Sequence, residues 1–152
     1  MTMSADEIVQ VLNDLLETCY DGMDGFRAAA GSLTRTDAIA FCESRAARID
    51  ESAAELYTAV RRLGGRPAEH GHPEASVHRG WIHLRASAID TSDDGVLSEI
   101  ERGEDAALHG YRHALGKSLP PALHDLVADQ LRGVEENLEG VRQLRRETTE
   151  PA

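Results

Sequence analysis

The sequence predicts an all-α fold, a four-helix bundle whose single long crossover carries a short helix of its own. Three observations lead there. Four stretches of the 152 residues repeat small or apolar residues at alternating steps of three and four, the spacing that stacks side chains on one face of a helix. The joins after the first and third of these stretches are short, which makes antiparallel hairpins, whereas the join between the second and third is long. No stretch alternates apolar and polar residues in the manner of a half-buried strand. Helices are therefore expected over about 5–30, 35–63, 74–89, 95–116 and 120–146, in one domain spanning 1–152.

Ser4-x-x-Glu7 is a capping box that opens the first helix. Its seam runs Ile8, Leu12, Leu15, Cys19, Gly22, Phe26 and Ala29, and Gly31 ends it. Thr34-x-x-Asp37 predicts a second box ahead of the seam Ile39, Cys42, Ala46, Ile49, Ala53, Leu56, Val60 and Leu63. Arg61 and Arg62 suit the last turn of that helix, where the exposed carbonyls attract cations, and Gly64-Gly65 stop it. Arg66 to Pro73 reads as a loop, and Val77, Trp81, Leu84 and Ala88 share one side of the crossover helix. Thr91-Ser-Asp-Asp-Gly95 supplies the N-cap of the third long helix, with the seam Leu97, Glu101, Glu104, Leu108, Tyr111 and Leu115. Leu119-Pro-Pro121 leads into the last helix, with the seam Leu123, Val127, Gln130, Val134, Asn137, Val141 and Leu144. Two hairpins joined by one long crossover make a ferritin-like four-helix bundle.

The composition narrows the function classes. A net charge of −11 argues against nucleic acid, because a phosphate backbone is bound by basic surface that displaces counterions. No apolar run approaches the roughly 20 residues that cross a bilayer, so no membrane partner is expected. The N-terminus lacks a basic start followed by an apolar block, which points to a cytoplasmic protein. Cys19 and Cys42 sit at different heights of an antiparallel hairpin and read as buried small residues, a reactive thiol being the lesser alternative. Phosphate loops, a serine elbow and paired Cys-x-x-Cys motifs are all missing from the sequence.

Arg61-Arg-Leu-Gly-Gly65, His78-Arg-Gly-Trp81, Glu101-Arg-Gly-Glu-Asp105, Tyr111 and Leu119-Pro-Pro121 occur in that order. Together they resemble an uncharacterised bacterial ferritin-like family, single-domain four-helix bundles of unknown function, over about 8–145. The resemblance implies a fold and no settled activity. It also implies that a histidine often stands where this chain has Asn137.

The polar seam residues carry the functional question. A ferritin-like di-iron centre takes a glutamate from each of two helices and a Glu-x-x-His pair from each of the other two. Glu101 and Glu104 stand three apart on the third helix, Glu17 lies beside the seam of the first, and Glu136 lies beside that of the fourth. These four are the candidate ligands for iron or manganese, yet no Glu-x-x-His occurs in the long helices. The competing expectation is a buried polar network of Glu101, Glu104, Gln130 and Asn137, with Arg48, Arg45 or His78 as the base, which fixes helix register. The first function hypothesis is thus a non-catalytic, stress-associated bundle. The alternative is a carboxylate-bridged di-iron or manganese oxidase or metal-storage protein, and a third is a small-molecule pocket beside Gly22, Ala46 and Ala53.

The remaining histidines and glycines add less. His109 and His113 share a face that meets solvent, while His70 and His72 lie in a loop beside Glu69 where adventitious metal could bind. Gly103 and Gly110, like Gly133 and Gly140, repeat at seven; they predict either tight packing of the third helix on the fourth or the face of a homodimer.

Overall fold

The computed structural model describes residues 2–71 and 92–149. Four long helices account for most of them: α1 (Ala5–Ser32), α2 (Thr36–Arg62), α3 (Asp93–Leu115) and α4 (Pro121–Thr149). The expected crossover helix over 74–89, with His78 and Trp81, lies outside the described residues. Among the described residues there is no strand.

Local chemistry sets the helix ends. Ser4 caps α1 in a complete capping box with Glu7. Gly64 adopts φ +79° just past α2. Its N–H donates to Arg61 O and that of Gly65 to Val60 O, the paired closure of a Schellman motif. The left-handed backbone at Gly64 is why a glycine stands there. Ser92 caps α3 by accepting from the Gly95 N–H at 3.1 Å.

The start of α2 departs from expectation. Thr34 does not form a box with Asp37. Instead the Asp93 carboxylate, at the head of α3, accepts from the Thr34 N–H, the Thr34 hydroxyl and the Arg35 N–H, each at 2.9 Å. Asp37 is taken by Arg35 at 2.6 Å. Arg35 also reaches the end of α4, donating to Leu144 O at 3.2 Å, to the Thr148 hydroxyl and to Glu147. Asp93 holds the heads of α2 and α3 together, and Arg35 brings in the tail of α4. The helices therefore run up, down, down, up, as one long crossover requires.

Two apolar clusters fill the bundle. One is built around Leu12, Leu16, Leu56, Val60, Val127 and Leu138. The other, toward the Arg35 end, is built around Met23, Phe26, Cys42, Leu97, Ile100 and Val141. Packing is close between α1 and α2, between α3 and α4, and between α1 and α3; α2 and α4 meet along only a short length.

The glycine repeat does not tighten α3 against α4. A Cβ at Gly140 would fall 2.5 Å from the Phe41 ring of α2, so this glycine admits an aromatic side chain against the α4 backbone. Gly110 faces Thr18 of α1 at 3.9 Å, and Gly103 and Gly133 meet no described atom within 4 Å.

Candidate functional site

The buried seam of α3 runs Leu97, Ile100, Glu104, Ala107, Tyr111 and Ala114 in steps of three and four, with Leu108 beside it and Gly95, Val96 and Glu99 also buried near its start. This is the expected seam with its phase changed: Leu97, Glu104, Leu108 and Tyr111 are buried as expected, and Ile100 replaces Glu101 as the inward residue. The two glutamates expected to share the core are thus separated. Glu104 is 3% exposed. Glu101 is 27% exposed and faces Arg145 at 3.6 Å and Arg142 at 3.9 Å on α4.

Each helix places one or more polar groups beside Glu104. From α4, the Asn137 amide donates to Glu104 Oε2 at 3.2 Å. Two turns further along α3, the Tyr111 hydroxyl donates to Gln130 Oε1 at 2.8 Å, and Gln130 Nε2 donates to the Ser52 carbonyl of α2 at 3.1 Å. A tyrosine hydroxyl has a single proton, so the Cys19 thiol of α1, 3.3 Å away, is the donor to Tyr111. The result is one continuous chain of donors and acceptors through all four helices, with Glu104–Asn137 alongside it.

Burial governs the electrostatics. It pushes the Glu104 carboxyl up to about 7, against the downward pull of the Asn137 hydrogen bond. It pushes the Cys19 thiol up to about 11 and the Cys42 thiol up to about 12. Tyr111 is raised well above the ordinary phenol range, chiefly by burial and then by its thiol neighbour. At neutral pH both cysteines and the tyrosine carry their protons, which leaves the thiols poor nucleophiles. Glu104 is the member of the layer that burial brings to the edge of ionisation near neutrality.

The layer borders a cavity of about 200 Å³ lined by residues of all four helices, α2 and α4 facing each other across it with little contact between them. Gly22, Gly133 and Ala107 leave the space, Ile49 and Val134 add apolar wall, and Glu51, Glu55 and Asp129 bring acid to its sides. Arg48 also lines it, but its nearest carboxylate is Glu136 at 3.7 Å, both residues being exposed.

The remaining expected site residues lie elsewhere. Glu17 is exposed on α1. Glu136 is 62% exposed beside Arg48, so neither residue joins the buried layer. Sequence reasoning did not foresee the parts played by Cys19, Tyr111 and Ser52, although Cys19 and Tyr111 lie on their seams and a buried tyrosine normally finds a hydroxyl partner. It also missed Asp24, which is 7% exposed. Asp24 holds His70 at 3.0 Å, the His70 ring stacks on Tyr20 at 4.6 Å, and the Tyr20 hydroxyl donates to Ala68 O. Asn13 grips the same stretch through Arg66 O and the Ala68 N–H. His70 is therefore part of a strap bound along α1. His109 and His113 are exposed.

The donors around Glu104 do not fit a di-iron centre. Two irons need several carboxylates and imidazoles at once, whereas this layer offers one carboxyl, two amides, a phenol and a thiol. The Gln130 amide is already committed at both ends, to Tyr111 and to Ser52. Among the described residues no three His, Cys, Asp or Glu side chains are grouped to hold a metal ion.

Helix order, the single crossover and a polar layer at mid-bundle define a ferritin-like four-helix bundle. The chain belongs to the family of a domain of unknown function, DUF2383, whose model matches residues 7–117. It is similar to the solved structure of a mutant of Mycobacterium smegmatis Dps1, with a TM-score of 0.75 and 14% identity over 93% of this chain and 96% of that one. At that identity the likeness is one of fold. No curated protein sequence matches the chain. Among the described residues no helix is long and apolar enough to cross a membrane.

Proposed function

We propose that this protein is a non-catalytic ferritin-like bundle in which a hydrogen-bonded layer occupies the middle of the core and fixes the register of its helices. The observation that carries this is the Cys19–Tyr111–Gln130–Ser52 chain, which passes through all four helices with its donors matched to acceptors. A matched layer of this kind disfavours slipped packings, since any shift strands a buried polar group at a cost of about 1–3 kcal/mol.

Metal analysis of protein purified without an affinity tag, before and after incubation with Fe(II) or Mn(II), tests the proposal. Well below one metal per chain is expected. Near-stoichiometric iron or manganese that disappears in Glu104→Ala would overturn it in favour of the oxidase or metal-storage alternative. The acid at the cavity sides, Glu51, Glu55 and Asp129, is what favours that second reading. The proposal extends to self-association as a homodimer, for which the open space at Gly103 on α3 leaves room. Light scattering checks this part, and a monomer mass at every concentration would contradict it.

A further inference from the structure

The cavity beside Glu104 has a chemistry that the register layer does not use. We infer that it binds a small organic ammonium ion, a primary amine on a short alkyl stem whose charged head sits on the inward oxygen of Glu104. This goes beyond the structural role proposed above.

The first support is size. About 200 Å³ exceeds the roughly 150 Å³ of an engineered apolar cavity that admits benzene. The second is the balance of donors and acceptors. Glu104 is 3% exposed and Asn137 holds only its Oε2. Its Oε1 lies on the cavity side, 3.5 Å from where a Gly22 Cβ would sit. The donors on the wall are largely consumed: the Tyr111 hydroxyl and the Gln130 amide are used within the layer, and the Thr18 hydroxyl donates to Asp14 O. Arg48 also lines the space but is exposed and pairs with Glu136 at 3.7 Å, and Asp129 is held by Arg132 at 2.7 Å. What remains facing the space is acceptor and acid, chiefly Glu104, Glu51 and Glu55, which selects a ligand that donates hydrogen bonds and carries positive charge.

The third support is the mixed wall. Ile49, Ala107 and Val134 offer apolar surface to a stem of a few carbons. A transition-metal ion would need more carboxylate or imidazole at bonding distance than Glu104 and one amide oxygen supply, whereas an ammonium head needs up to three acceptors.

Binding and protonation are linked. An ammonium beside Glu104 favours the carboxylate, so binding expels its proton and strengthens as pH rises past about 7. The other titratable or charged groups around the cavity are Cys19 on α1, Arg48, Glu51 and Glu55 on α2, Tyr111 on α3 and Asp129 on α4. Burial keeps the thiol and the phenol neutral throughout this range.

Calorimetric titration of the full chain with propylammonium chloride, with propan-1-ol as the neutral match, tests the inference. Saturable one-site binding is expected at about pH 8, weaker by about tenfold at about pH 6 and in Glu104→Gln. Propan-1-ol should bind far more weakly. Gly133→Leu should abolish binding with the carboxyl intact, because a Cβ at Gly133 meets no described atom within 4 Å and the side chain fills the space. Amide shift mapping on the unaltered protein needs no variant to fold, and Gly22, Gly133 and Asn137 should move. Four results would each overturn the inference: absence of saturable binding, equal binding of propan-1-ol, shifts confined to other residues, or displacement of propylammonium by stoichiometric Mn(II).

Discussion

Two acidic regions of this bundle treat their carboxylates in opposite ways. At the Arg35 end, Asp93 accepts three hydrogen bonds and Asp94 is held by Arg145 at 2.9 Å. These carboxylates lie near solvent, and the hydrogen bonds from Thr34 and Arg35 hold the Asp93 carboxyl below the usual range in spite of its desolvation. In the central layer, Glu104 has one hydrogen bond, is buried, and is pushed up to about 7. At the end of the bundle, acid fastens helices. At its centre, acid is left half-partnered beside open space, where an ionised carboxyl costs the fold stability and can meet a ligand.

The largest expected effect tests this contrast through pH. The Glu104 carboxyl titrates at 4.5 in an ordinary setting and about 7 in the fold. Below the lower value both states are protonated and no penalty arises. Between the two, the unfolded chain loses its proton while the folded chain keeps it, so stability falls as pH rises. Above about 7 the loss is complete, on the order of 3 kcal/mol. Glu104→Gln keeps an acceptor for Asn137 and removes the buried charge. Chemical denaturation should find it more stable than the parent by up to about 3 kcal/mol at about pH 8 and little changed at about pH 4. Equal stabilities at both pH values would place Glu104 in water.

A smaller effect of opposite sign is expected at the end of the bundle. Asp93→Ala leaves the Thr34 and Arg35 N–H groups without their acceptor. The loss should be about 1–2 kcal/mol, the range for a lost helix cap. Its carboxyl is held low, so the stability it contributes is present above the unfolded value and fades as pH falls through the folded one. Thermal melts at neutral and acid pH would show the variant and parent converging in acid. The smallest effect belongs to Glu101→Gln. Its partners are partly exposed arginines at 3.6 and 3.9 Å, so a change within about 0.5 kcal/mol is expected in the same denaturation series. A loss near that of a core substitution would return Glu101 to the interior.

The four long helices were legible because their patterns are local. Ser4 with Glu7, Gly64-Gly65 and Ser92 mark helix ends through residues at most five positions apart, and all act as read. The head of α2 was misread because its cap comes from Asp93, 59 positions away. Local spacing offered Asp37, and tertiary structure supplied a better acceptor. On α3 the periodicity was visible but its phase was ambiguous. Glu101 fits one alternation of three and four residues and Ile100 the other. The choice is made by packing, where isoleucine gains from burial and a charged carboxylate loses. Gln130, Asn137 and Glu104 were readable as polar residues on seams. Their connection through Cys19 and Tyr111 was not, because a hydrogen-bond chain depends on helix heights that seam patterns leave open. The cavity came from the gap between α2 and α4, which no single helix encodes.

Carbon-detected NMR of the Glu104 side-chain carboxyl, followed from about pH 4 to about pH 9, addresses the central claim directly. A buried carboxyl facing the cavity titrates with a midpoint of about 7. A midpoint at the ordinary 4.5 would contradict the buried layer, and the ammonium site would fall with it.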